Sequence, residues 1–188
     1  MVAHPTPPPM PVEEYLELEE NSTVKHEYID GHVYAMAGGT VDHGVIAVNV
    51  LSLLRPRLRG GPCRVYNSDV KVRLAPRRYV YPDVSVGCDP RDRVDGRARF
   101  IRYPRVIIEV LSPSTARYDR GDKFTMYRAL ESLAAYVLVD TERIEIEVWT
   151  RHSATDWGQR LYGPDDAVDI APLGFNAPVA AFYEDAPL

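Results

Sequence analysis

One carboxylate stands where a folded chain rarely leaves it without a partner, and a second, after a proline that by itself usually marks only a turn, is the candidate companion. Glu109 lies in RVIIEVLSPST (residues 105–115), inside the apolar run Val106, Ile107, Ile108, Val110 and Leu111. Asp83 lies in RYVYPDVSVGC (residues 78–88), directly after Pro82. An ionised carboxylate in a dry strand costs roughly several kcal/mol even after relaxation, and a neutral one still needs hydrogen-bond partners. Three arrangements answer that cost. Glu109 could face water on an edge strand, pair with one of the many arginines, or share a cation with a second acid. Apolar residues on both sides weaken the first. Asp83 supplies the acid that the third requires. Two carboxylates held close repel each other, and a hard divalent cation removes the repulsion. Mg²⁺ suits the role because it takes oxygen ligands and keeps water in its shell. Mn²⁺, which accepts the same donors, is a substitute.

The elements that must position these groups follow from periodicity. VEEYLELEE (12–20) reads as a short acidic helix. KHEYIDGHVYAMAG (25–38) alternates on either side of Asp30-Gly31, a strong hairpin signal. From Asp42 the period changes, and Val45, Val48 and Leu51 suit a helix, capped by Thr40 or Asp42, that ends near Pro56. RVYNSDVKVRL (64–74) reads as a strand. RYVYPDVSVGC reads as a second, interrupted at Pro82, which cannot donate to a ladder. RVIIEVL is nearly continuous in apolar residues and belongs at the centre of a sheet. SPSTARYDRGD (112–122) reads as a polar loop and KFTMYRALESL (123–133) as a helix burying Phe124, Tyr127 and Leu130. AYVLVD and RIEIEVW are strands joined by a turn at Thr141 and Glu142, and the tail beyond Arg151 reads as loop-rich, with a last apolar patch near Phe182. The expected class is α/β: a mixed sheet flanked by helices, with an N-terminal helix and β-hairpin, in one domain over residues 12–188.

Composition narrows the function classes. The 188 residues carry 45% hydrophobic side chains and a net charge of −5. An acidic chain does not attract nucleic acid with its whole surface, so phosphate contact needs a local basic patch or a bound cation. Arg55, Arg57, Arg59 and Arg64 form one such patch; Arg91, Arg93, Arg97, Arg99, Arg102 and Arg105 form another, interrupted by acids. Both also suit solvated loops. The opening MVAHPTPPPMP lacks the features of a signal peptide, and residues 1–11 are expected to be extended and mobile. No apolar run is long enough to span a bilayer. Cys63 and Cys88 match no metal-ligand spacing and suggest no disulfide framework, which favours a reducing, cytoplasmic setting.

Pro82-Asp83 followed by Glu109-Val110-Leu111 resembles the core motif of the PD-(D/E)XK nuclease superfamily. Leu111 stands where that pattern places lysine, and Lys123, in YDRGDKFTMY, is the residue that could return an ammonium to the strand end. The ordered set EYIDG, the His43 helix, SDVKVRL, YPDVSV, IIEVLSPST, DRGDKFTMY and AYVLVD resembles the Uma-two family of restriction endonuclease-like proteins over residues 12 to 150. The resemblance implies a restriction-endonuclease-like mixed β-sheet core and Mg²⁺-dependent hydrolysis of DNA phosphodiesters. It implies Asp83, Glu109 and the Val110 carbonyl as metal ligands, and Lys123 as the group that orients the attacking water or stabilises developing charge. Glu27, His43 and Asp69 are supporting candidates, each balanced by a plainer reading: a hairpin carboxylate, a helix-cap histidine and a turn residue. Asp119 either orients Lys123 or is a loop carboxylate, and Tyr127 either faces the cleft or belongs to the core. Analogy with related nucleases implies a homodimer acting on DNA. The rival reading, prompted by Leu111, is a nucleic-acid-binding or assembly module that does not cut. A weaker one is a hydrolase of smaller phosphate esters.

Overall fold

The computed structural model describes residues 9–93 and 98–186. Its centre is a six-stranded mixed sheet. Strand β8 (Pro104–Val110) runs through the middle, parallel to β9 (Ala135–Val139) and antiparallel to β6 (Val84–Gly87). Strand β3 (Arg64–Asn67) flanks β6, and β10 (Ile146–Arg151) then β11 (Trp157–Tyr162) extend the sheet beyond β9. The placement of β8 follows from its composition: a strand whose apolar residues fall on both faces is stable with neighbours on both edges and cover on both faces.

The period-2 alternation of β8 divides its side chains between two cores. Val106, Ile108 and Val110 point to the side covered by α2 (Val41–Leu58), where they meet Ile46, Val50 and Leu54. Ile107 and Leu111 point to the opposite side. That side is covered by a helical run made of α3 (Ala116–Tyr118), a π-helical turn (Asp119–Lys123) and α4 (Phe124–Arg128). Phe124, Tyr127 and Leu130 pack there against Ile107, Tyr136 and Leu138. Glu109 shares the Ile107 face and therefore looks up at the helical run.

A second sheet of five strands holds β1 (His26–Ile29), β2 (His32–Ala35), β4 (Lys71–Ala75), β5 (Arg78–Val80) and β7 (Phe100–Ile101), in the order β2-β1-β5-β4-β7. The predicted hairpin is β1–β2. Its turn residues Asp30 and Gly31 both have positive φ, 52° and 102°, as a two-residue primed turn requires. Helix α1 (Val12–Asn21) lays Tyr15 against Tyr28 and Tyr79 of this sheet.

Several sequence expectations need correction. RVYNSDVKVRL is two strands, because the turn at Ser68–Val70 sends β3 and β4 into different sheets. RYVYPDVSVGC is likewise β5 and β6, and Pro82 marks the crossing between sheets. The helix expected from Lys123 begins at Ala116, so the polar appearance of SPSTARYDRGD conceals a helix exposed along one side. Helix α2 continues through Pro56 to Leu58. The tail is not loop-rich: β11 joins the main sheet, and the hairpin of β12 (Ala167–Ile170) with β13 (Phe175–Pro178) buries Val168, Ile170 and Phe175 on the α2 side. Its short apolar stretches, separated by Gly and Pro, hide that role in the sequence.

Cys63 and Cys88 form a disulfide, contrary to the sequence reading. The register pairs Arg64 with Gly87, so the next residues outward, Cys63 and Cys88, face each other across the strand pair. A separation of 25 residues gave no hint of that register. The premise for a reducing compartment falls with it. No helix among the described residues is long and apolar enough to cross a membrane. Residues 1–8 and Arg97, named above in the mobile segment and the second arginine group, lie outside the described residues. Met10 does not fit a mobile 1–11 segment: its N–H donates to Gly31 O at 2.9 Å, and Tyr28 Oη donates to its carbonyl at 2.7 Å.

Candidate active site

The antiparallel pairing of β6 and β8 sets Val84 opposite Ile108. Asp83, just before β6, therefore lies beside Glu109, near the end of β8. Backbone bonds fix the two acids reciprocally. The Val110 N–H donates to Asp83 Oδ2 at 2.8 Å, and the Asp83 N–H donates to Glu109 Oε2 at 3.3 Å. Pro82 ends the β5 ladder, freeing this stretch to cross from one sheet to the other and aim Asp83 into the cleft.

The helical run brings the ammonium. Lys123 Nζ lies 2.9 Å from Glu109 Oε1 and 3.5 Å from both Glu27 Oε1 and Asp119 Oδ1. Tyr127 Oη donates to Glu109 Oε1 at 2.7 Å. Leu111, on the same face as Glu109, is buried in the apolar core beneath the helical run. The strand position that the motif gives to lysine is thus filled by core, and the amine arrives from above. Lys123 does not open a helix; it closes the π-helical turn. The wide turn is an arrangement that recurs at functional sites, and here it sets Asp119 and Lys123 on the cleft side together.

Glu27, on β1, accepts from the Tyr81 N–H at 3.3 Å and is buried beside Lys123, so it is not an exposed hairpin carboxylate. His43, in the first turn of α2, places Nε2 3.3 Å from Asp83 Oδ2. Asp69 does not join the group. Its carboxylate takes Lys25 Nζ and Asn67 Nδ2 at the turn between β3 and β4 and stays mostly exposed. Asp119 and Tyr127, each weighed evenly or against in the sequence, both touch the central groups. The i,i+4 spacing of Asp119 and Lys123 was the available signal.

The electrostatics follow from burial. Burial pushes the Glu109 carboxyl up to about 8, although Lys123 pulls it down; Asp83 adds to the rise. Burial disfavours the Lys123 ammonium, but Glu109, Glu27 and Asp119 outweigh it and hold the group well above its ordinary value. Lys123 therefore keeps its proton, as a hydrogen-bond donor and a fixed positive charge. The hydrogen bond to Asp83 raises His43 against the effect of burial. Burial, then Glu27, pushes the Tyr118 hydroxyl up to about 12.

These groups line a cleft of about 590 Å³ between the β1–β2 hairpin with its following segment and the Ser112–Tyr118 stretch. Among the described residues, no three His, Cys, Asp or Glu side chains form a ready-made metal cage. The donor set still fits Mg²⁺. That ion is commonly held by one or two carboxylates with water filling the remaining positions, not by an all-protein cage. Glu109, Glu27 and Asp119 face Lys123, and Asp83 faces His43, an excess of acids that a divalent cation would offset.

Comparison with known proteins places the chain. The family model Uma2, "Putative restriction endonuclease", matches residues 12–180. The protein slr1290 of Synechocystis sp. strain PCC 6803 is 42% identical over 187 residues, covering 97% of each chain. The protein sll1609 of the same organism is 31% identical over 145 residues, covering 77% of this chain and 82% of that one. Among solved structures, a "putative nuclease belonging to DUF820" from Anabaena variabilis superposes with a TM-score of 0.75 at 17% identity, over 94% of this chain and 98% of the other. At that identity the likeness speaks for the fold.

Proposed function

This chain belongs to the Uma2 family, and from that premise and the geometry of its cleft we propose that it is a Mg²⁺-dependent endonuclease hydrolysing phosphodiester bonds in DNA. The observation that carries the reading is the meeting of Asp83, Glu109 and Lys123. Residues 26 and 14 positions apart in the chain are held within hydrogen-bond reach at the floor of one cleft.

Asp83, Glu109 and the Val110 carbonyl would hold the metal. When bound, Mg²⁺ supplies positive charge to the scissile phosphate and lowers the pKa of water. The chain's own groups do the rest. Lys123, kept protonated by its three carboxylates, donates to the phosphate oxygens as negative charge develops or holds the attacking water in line; it is not the general base. Glu27, fixed by the Tyr81 N–H, is placed to accept from that water. In the reaction an oxygen–phosphorus bond forms from water, the bond to the leaving sugar oxygen breaks, and that oxygen takes up a proton. Tyr127 fixes the rotamer of Glu109. The homodimer expected by analogy belongs to the same proposal, and light scattering of the purified protein measures it.

A module that does not cut is the rival. Its support was the leucine at position 111, and the approach of Lys123 to Glu109 weighs against it. Plasmid nicking separates the two. Conversion of supercoiled to open circles should require Mg²⁺ or Mn²⁺, stop in EDTA, and fall at least a hundredfold in Asp83→Ala, on the scale of losing about 3 kcal/mol of transition-state stabilisation. Nicking that survives the substitution unchanged refutes the assignment.

A further inference from the structure

We propose that the cleft takes an unpaired DNA strand, with Tyr34 and Tyr118 as the platforms on which its bases stack. The proposal rests on the nuclease reading above and narrows its substrate. Among the large apolar and aromatic side chains that the described residues leave exposed, only two are aromatic: Tyr34, 55% exposed on β2, and Tyr118, 36% exposed on α3. Both line the cleft, one from the hairpin wall and one from the helical wall. Neither hydroxyl has a protein partner among the described residues. The other tyrosines of this region are spent on packing or hydrogen bonds: Tyr28 and Tyr127 are fully buried, and Tyr81 donates to Glu19 at 2.7 Å.

The depth of the site points the same way. Glu109 is 3% and Lys123 7% exposed, so a phosphodiester reaches them only by entering the cleft between its two walls. A duplex keeps its base faces stacked inside and offers no π-surface to a wall tyrosine. Unpaired nucleotides do, and stacking on aromatic side chains is how strands are held without reading their sequence. The route continues past Tyr118 into a neighbouring groove that shares Ser114 and Tyr118 with the cleft and is lined further by Arg117, Arg120 and Asp122. Arg120 is committed to Asp140 and Glu147. Arg117 enters no ion pair among the described residues and is placed to meet a backbone phosphate beyond the stacked base.

The test compares one labelled oligonucleotide as a single strand and as a duplex, by fluorescence anisotropy with Ca²⁺ in place of Mg²⁺. The wild-type protein should bind the single strand more tightly. Tyr34→Ala and Tyr118→Ala should each weaken single-strand binding roughly tenfold, with melting temperatures near wild type, while Tyr→Phe at either position retains it. A wild-type preference for duplex, or single-strand binding that both alanine variants leave intact, overturns the proposal. Its failure is separable from that of the nuclease reading: metal-dependent nicking lost in Asp83→Ala keeps that reading whatever the tyrosines do.

Discussion

At the scale of single residues, the account depends on a buried acid that cannot comfortably ionise alone. Glu109 is pushed from its ordinary 4.5 to about 8, first by burial. A folded state that binds this proton while the unfolded chain has released it is favoured at low pH. The stability Glu109 contributes is full below about 4.5 and is lost as pH rises towards about 8. His43 acts in the same sense, because its bond to Asp83 raises it. In EDTA, wild-type stability measured by urea unfolding should therefore fall between pH 5 and pH 8 relative to Glu109→Gln, which carries no titrating group at that position. A difference that stays flat, or widens in favour of wild type, contradicts this. The residue pattern drew attention to Glu109, an acid in an apolar run, and to Asp83 as its candidate companion at an interrupted strand; Lys123 entered only through the resemblance, because nothing local to it points to the cleft. It left Tyr127 ambiguous because the residue does two things: its ring fills the core and its hydroxyl holds Glu109.

At the scale of elements, position is set by a few joints. Arg120 sits inside the π-helical turn and donates to Glu147 Oε1 at 2.6 Å and Asp140 Oδ2 at 3.1 Å, tying the run that carries Lys123 to β10 and to the end of β9. Removing one partner from such a largely buried pair costs on the order of 3 kcal/mol. Arg120→Leu should lose about that much in denaturant unfolding and should lower nicking at saturating DNA, since Lys123 loses its bracing; Arg120→Lys should recover part of both. Unchanged nicking in a destabilised Arg120→Leu would show that the turn does not position the lysine. The disulfide ties β3 to β6 at the strand end remote from Asp83. Replacing Cys63 and Cys88 by alanine should cost roughly 3 kcal/mol and leave the nicking rate as it was. Strands, the hairpin and the helix over Tyr127 could be read from periodicity. The crossing of β3–β4 and β5–β6 between sheets could not, because a two-residue alternation says which face a side chain takes and nothing of which sheet the strand joins.

At the scale of the whole molecule, the proposed reaction requires an acidic floor to receive a polyanion. With a net charge of −5 and four acids at a cleft floor whose cationic partners are Lys123 and His43, phosphate is poorly attracted until a cation enters. That conflict was already visible in the composition. What the sequence concealed was how the ends close the fold: the tail buries Phe175 and Phe182 beneath α2, and Met10 pins the hairpin turn. The apolar patch near Phe182 was visible locally, but its partner was not, because both contacts join segments remote in the chain. The central claim is that Asp83 and Glu109 share one divalent cation beside Lys123. The measurement that reaches it most directly is anomalous scattering from a crystal soaked in Mn²⁺. A peak is expected in bonding contact, about 2 Å, with one oxygen of Asp83 and one of Glu109. A crystal whose soaked protein nicks DNA with Mn²⁺, yet shows its ion elsewhere, would contradict it.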